Sequence, residues 1–167
     1  MEKLLISACL LGQKVRYDGR IPDYGESRLI RQWQDDGRAV PFCPEVAGGL
    51  QVPRPAAEIQ SGDGSDVLSG ATSVATNSGN EVSAHFILGA RLALEACQAH
   101  SILIAVLKEN SPSCGVRQIH DGSFSGTLRT GQGVTTALLR QSGITVFSEN
   151  ELSNVAEMLR RVESCAS

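Results

Sequence analysis

The chain of 167 residues carries 15 Lys and Arg against 18 Asp and Glu, a net charge of −3, which leaves no broad basic surface for long nucleic acid. Apolar residues make up 41% and charged residues 20% of it, values expected of a soluble globular protein long enough to bury a core as one domain spanning 1–167. No apolar run is long enough to span a bilayer, and the aromatic content of only 4% leaves the core to Val, Ile, Leu and Ala.

In chain order, KLLISA (3–8) reads as a buried strand that ends at Cys9. The N-terminal stretch lacks the small-residue cleavage site of a signal peptide, so a cytoplasmic location with reduced thiols is expected. A polar loop, GQKVRYDGRIPDYG, follows. Residues 26–36 have helical spacing, with Leu29, Ile30 and Trp33 on one face and Gly37 placed to stop the helix. RAVPFC (38–43) reads as a second strand, again ending at a cysteine. From Pro44 to Asn80 the Gly and Ser content predicts loops around at most a small hairpin, acting as a functional loop or lid. Residues 81–99 resume helical periodicity, and SILIAVL (101–107) is an uninterrupted apolar run, as in a strand covered on both faces. After KENSPSCG and the polar loop RQIHDGSFSGTLRTGQG come a helix (134–140), a short strand (144–147) and a last helix (149–163).

Strands alternating with helices predict an α/β fold. The expected form is a three-layer sandwich with a mostly parallel four-stranded sheet, Rossmann- or flavodoxin-like, of order 2-1-3-4 and helices on both faces.

That topology gives the cysteines their meaning. Strands of a parallel sheet end at one edge, and ligands bind beyond it where strand order switches. Cys9, Cys43 and Cys114 follow the first, second and third strands, so the fold brings together thiols that sequence keeps apart. Cys97 falls on the apolar face of a helix, where a free cysteine behaves as a small hydrophobe, and Cys165 lies in the tail. Five cysteines without regular spacing do not form a disulfide framework.

Three thiolates with an open position suit either a catalytic zinc or a [4Fe–4S] cluster with one iron not bound by protein. Thiolates make zinc electron-rich and a poor Lewis acid, and soft sulfur ligands suit iron–sulfur chemistry, so the donor set favours the cluster. A zinc-dependent hydrolase and a non-catalytic cluster carrier or redox sensor remain as alternatives. Around the cysteines, Pro44 holds Cys43 extended and Glu45 stands two residues on, a carboxylate able to move protons. Ser111 and Ser113 bring hydroxyls near Cys114, to orient substrate or to form a turn. Arg16 and Tyr17 can wall a site after Cys9, with Tyr17 able to stack on a ring. Arg54, between two prolines, suits an anion or a structural ion pair, and Lys108 can pair with Glu109. The amides of Thr130–Gly133, ahead of a helix, can hold an anion. DGSFSG is not a nucleophile elbow, because Phe124 takes the serine position. His85, His100 and His120 show no ligand spacing.

SACLLGQKVRYDG, VPFCPEVAGGLQVPRPAAEI, LKENSPSCG, DGSFSGT and GQGVTTALLRQSGITVFSE occur here in order over nearly the whole chain. In these motifs the chain resembles the bacterial family known as domain of unknown function 523, whose members include thiouracil desulfidases. PRPAAEI departs slightly from the family's usual pattern at the residue before Ala-Glu. The resemblance implies a [4Fe–4S] cluster on Cys9, Cys43 and Cys114 and a non-redox removal of sulfur from thiouracil. It also implies Glu45 as activator of water, with Ser111 positioning the base or relaying a proton. Some relatives carry a further C-terminal domain and act on thiolated tRNA. The expected substrate here is a free thiolated base or nucleoside, with no membrane or long nucleic acid as partner.

Overall fold

A computed structural model describes residues 1–21 and 27–167. The end of the predicted polar loop and the predicted helix start at Glu26 lie outside the described residues.

Four short strands form the central sheet: β1 (Leu4–Ser7), β2 (Ala39–Phe42), β5 (Ile104–Leu107) and β8 (Thr145–Ser148). Their order is β2-β1-β5-β8 and all three pairings are parallel, with Leu5 opposite both Val40 and Ala105 and Val106 opposite Phe147. Counted among these four alone, the order is the expected 2-1-3-4. β1 and β5 are buried along their whole length, as strands covered on two faces must be.

Alternation along the strands divides the core. Leu5, Ala105, Leu107 and Val146 face one side. There they pack with Ala93 and Cys97 of α4 (Ser83–Ala99) and Leu139 of α5 (Val134–Gln141). Leu4, Ile6, Ile104 and Val106 face the other side and meet Ile30 and Trp33 of α1 (Arg28–Asp35) and Val155 and Leu159 of α6 (Leu152–Cys165). Cys97 is therefore a core residue, and Cys165 closes α6 exposed to solvent.

The region from Pro44 to Asn80 holds more order than its composition predicts. It contains a one-turn helix, α2 (Pro44–Ala47), and the strands β3 (Ala57–Ile59) and β4 (Val74–Thr76), paired antiparallel, with α3 (Gly64–Ser69) between them. A sequence signal for α3 was present. Asp63 and Asp66 form a capping box, in which Asp63 accepts from the Ser65 amide at 2.9 Å and Asp66 accepts from the Asp63 amide at 2.8 Å. The expected loop 117–133 also contains a hairpin, β6 (Gln118–His120) with β7 (Leu128–Thr130). Both hairpins pack over a third core cluster built on Ile59, Val74, Phe86, Ile119 and Val134. They raise one wall above the carboxyl edge of the sheet.

Candidate metal centre and its cavity

A cavity of about 570 Å³ opens at that edge, and Cys9, Cys43 and Cys114 all line it. It sits where the sheet changes direction between β1 and β5, the place at which such sheets bind ligands.

Each cysteine is held by a different device. Cys9 lies in a 3₁₀ turn, Ala8–Leu11, that follows β1 directly. Cys43 is the residue before α2, extended at φ −119° and ψ 106°, as the following proline requires. Pro44 opens the helix, a position where its missing N–H is no loss. α2 is pressed against α4: a Cβ on Gly89 would lie 2.0 Å from the Pro44 carbonyl oxygen, and one on Gly48 would lie 2.1 Å from that of His85. His85 Nδ1 also bonds the Gly48 carbonyl at 2.8 Å, which gives this histidine a structural partner.

Cys114 depends on the most elaborate support. The buried Glu109 turns one carboxylate oxygen to the amides of Val116, Arg117 and Gln118, at 2.7, 2.9 and 3.1 Å. Ser111 Oγ accepts from the amides of Ser113 and Cys114, at 3.0 and 2.9 Å. From the other side, the start of α5 donates to the loop: Gly133, Val134 and Thr135 amides bond the carbonyls of Gly115, Pro112 and Ser113 at 2.8 to 2.9 Å. Of the Thr130–Gly133 amides expected to hold an anion, Gly133 thus holds the cysteine loop and Gly131 bonds the Arg117 carbonyl instead. Gly133 is required for this approach, because a Cβ there would lie 2.4 Å from the Ser113 carbonyl. The expected Lys108–Glu109 pair does not form. Lys108 Nζ reaches Glu149 at 2.5 Å, leaving the Glu109 carboxylate to the amides.

The thiols sense one another. Burial first, then the neighbouring Cys43, pushes the Cys9 thiol up to about 11. Burial raises Cys43. Cys114 is raised by burial and then by Cys43, Glu45 and Cys9 together. Three thiolates cannot gather here without positive charge between them, and a metal centre supplies it. Among the described residues, no three His, Cys, Asp or Glu side chains are grouped to hold one metal ion. A single zinc needs each sulfur about 2.3 Å from one point. A cluster takes each thiolate on its own iron and asks for wider spacing. Three soft thiolates lining one cavity suit iron–sulfur chemistry.

Glu45 and Ser111 also line the cavity, as do Arg16 and Tyr17. Glu45 sits in the first turn of α2 rather than in a loop. Arg54 Nε donates to its Oε1 at 3.2 Å, so the proline-framed arginine forms an ion pair rather than an anion site. The same guanidinium donates to the Val15 carbonyl at 2.9 Å and ties down the loop that carries Arg16 and Tyr17. Burial raises the Glu45 carboxyl above its ordinary range, and Arg54 works against that rise. Arg16 lies over the Tyr17 ring, 5.9 Å from its centre, with Asp18 at 3.8 Å. Ser113 is placed differently: it is fully buried, its hydroxyl lies 3.1 Å from that of Thr135, and it is not part of the cavity wall. It is a packing residue of the loop rather than part of the cavity wall expected for a substrate-binding side chain.

Sequence reasoning passed over Glu58, Asn77, Asn110, His120 and Phe124, all in the wall. Asn110 has a left-handed backbone, φ 73°, and a buried Oδ1 without a partner. None of these had a spacing signal: Asn110 sits in the cysteine loop itself, and the hairpins bring in the other four from distant segments.

The chain as a whole has counterparts among known proteins. The 2-thiouracil desulfurase family profile matches residues 4–151. The chain belongs to the 2-thiouracil desulfurase family. An uncharacterized Bacillus subtilis (strain 168) protein, YbbK, is 44% identical over 152 residues, covering 91% of this chain and 99% of YbbK. A solved structure of the [4Fe-4S]-dependent thiouracil desulfidase TudS superposes with a TM-score of 0.87 at 49% identity, covering 96% of this chain and 99% of that one. The span matched to the 2-thiouracil desulfurase family, an enzyme family, includes all four sheet strands and the three cavity cysteines, and ends just before α6.

Proposed function

We propose that residues 1–167 act as one iron–sulfur desulfidase domain that converts a thiolated pyrimidine base or nucleoside, such as 2-thiouracil, and water into the oxygen analogue and hydrosulfide. The observation that carries this reading is the convergence of Cys9, Cys43 and Cys114 on one cavity that also contains the ion-paired Glu45. The three thiolates would hold a [4Fe–4S] cluster with one iron free of protein. When bound, that cluster supplies a Lewis acid for the thiocarbonyl sulfur.

The remaining chemistry falls to the chain. Glu45 takes a proton from water so that the oxygen can attack the carbon that bears sulfur. Arg54 fixes the direction of that carboxylate, since it is itself anchored on Val15 and Gln51 carbonyls. Ser111 accepts two amides, which leaves its hydroxyl hydrogen to donate toward a base in the cavity. Arg16 and Tyr17 offer a cation and a ring to the polar edge and flat face of the substrate. Sulfur departs as hydrosulfide without net oxidation or reduction. A carrier or sensor of clusters needs no such buried carboxylate, and this favours the enzyme.

The test is anaerobic reconstitution followed by assay of sulfide and uracil from 2-thiouracil. One sulfide per uracil is expected. Glu45→Gln should retain the cluster and lose activity by at least about 100-fold. A colourless protein with stoichiometric zinc would overturn the reading, and full activity in Glu45→Gln would remove that residue from the mechanism.

A further inference from the structure

The motif DGSFSGT, set aside in the sequence as no nucleophile elbow, forms the tip of the β6–β7 hairpin and carries Phe124 into the wall of the cysteine cavity. Phe124 has φ 57°, in the left-handed region, where a bulky side chain is a genuine outlier. The residue is nevertheless 37% exposed, so burial does not compensate for that backbone. What holds the conformation is a set of bonds to the tip. Glu58, on β3 and only 5% exposed, accepts from the Gly122 and Phe124 amides through one oxygen, at 3.2 and 3.4 Å. Asp121 accepts from the Ser123 amide at 2.9 Å, and its own amide donates to the Thr127 carbonyl at 3.0 Å. The hydroxyls of Ser123, Ser125 and Thr127 follow one another at 2.6 and 2.8 Å. Gly122 lies so close to β3 that a Cβ would meet the Ile59 carbonyl oxygen at 2.8 Å. A costly backbone kept rigid at the mouth of a cavity, with an apolar ring left in the open, is an arrangement for a ligand.

Besides the His120 imidazole, the other aromatic rings of the wall are Tyr17 and Phe42. Phe42 packs against the core layer under α4 and α5, whereas Tyr17 is 42% exposed. We infer that Phe124 is a specificity-determining residue that stacks on the planar ring of the substrate, its ring presented by the Glu58-held tip, with Tyr17 as a second aromatic surface. This rests on the desulfidase reading above. It assigns recognition of the aromatic ring to the hairpin and leaves the sulfur to the cysteine side of the cavity. Stacking tolerates substituents on the ring but requires the ring to be flat.

The experiment compares 2-thiouracil with 5,6-dihydro-2-thiouracil, which keeps the thiocarbonyl and both N–H groups but loses the aromatic plane. Both are assayed with the cluster-loaded wild type and with Phe124→Ala, Phe124→Leu and Phe124→Trp. Phe124→Ala should raise KM for 2-thiouracil about tenfold, with kcat changed by less than about threefold and iron content unchanged. KM for the dihydro compound should hardly move, and Phe124→Trp should restore the preference for the flat ring. If the alanine variant does not fold, Phe124→Leu makes the same comparison, since it keeps apolar bulk without a π face. Unchanged KM for 2-thiouracil, or an equal rise for both compounds, overturns the inference while wild-type turnover leaves the desulfidase reading standing. Absence of sulfide release by the loaded wild type from any thiolated pyrimidine overturns the desulfidase reading, and this inference with it.

Discussion

At the scale of single residues, the cysteines divide by what surrounds them. Cys97 touches only core residues, and burial alone pushes its thiol up to about 11. Cys9, Cys43 and Cys114 each face the cavity and each other. Alanine at any of these three should reduce iron and sulfide content to near zero on reconstitution, because the remaining two thiolates do not hold the cluster. Cys97→Ala should leave iron content intact and cost about 1 kcal/mol of stability, the loss of a small buried group. Iron per protein and thermal melting measure both. The linear spacing of the three cysteines carries no metal motif, so their meeting at one cavity was legible from the residues only through the prediction that their strands are neighbours. Ser113 shows the limit of such reading. Sequence places it beside Cys114, and only the fold shows that its hydroxyl is turned to Thr135.

At the scale of elements, the cysteine loop after β5 is clamped by the start of α5. The sequence TGQG looked like an anion-binding turn because free helix amides and close backbone approach have the same glycine signature. Which partner fills the amides depends on what lies opposite, and here it is the run of carbonyls from Pro112 to Gly115. Gly133→Ala places a methyl 2.4 Å from the Ser113 carbonyl. It should destabilise the protein by about 1–3 kcal/mol and lower cluster content, although Gly133 is no ligand. Denaturant unfolding of the apo-protein and iron content of the reconstituted protein report the two effects separately. The hairpins β3–β4 and β6–β7 were hard to read for a related reason. Three-residue strands carry too little alternation to stand out, and they are stabilised by packing on Ile119 and Phe86 rather than by propensity.

At the scale of the molecule, charge ties the ends of the sheet to the cavity loops. Glu151, just before α6, accepts from the Ser148 amide at 2.9 Å and from the Arg117 guanidinium at 2.5 Å. It thus links the end of β8 to the segment after Cys114. Burial acts to raise its carboxyl, but Arg117 and the Ser148 amide outweigh burial and hold it below the ordinary range. A carboxyl depressed in the folded state stabilises above the unfolded pKa of about 4.3, and this contribution is lost as pH falls through the lower folded value. The wild type should therefore melt higher than Glu151→Gln near neutral pH, and the gap should close as pH falls below about 4. A gap that stays constant down to acid would show that the ion pair is not its source. Among the described residues, no helix is long and apolar enough to cross a membrane.

The parallel sheet, its strand order, the buried strands and the cysteines that follow them were all readable from sequence. Periodicity and apolar runs are local properties that survive being read one segment at a time. What faces the cavity was settled by the tertiary structure. It turned Ser113 inward, paired Arg54 with Glu45, gave Glu109 to the loop amides, and brought Phe124 and His120 to a wall opposite in origin to the cysteines. Those outcomes depend on contacts between segments far apart in the chain, such as Glu58 and the hairpin tip 64 residues later, which no local pattern encodes.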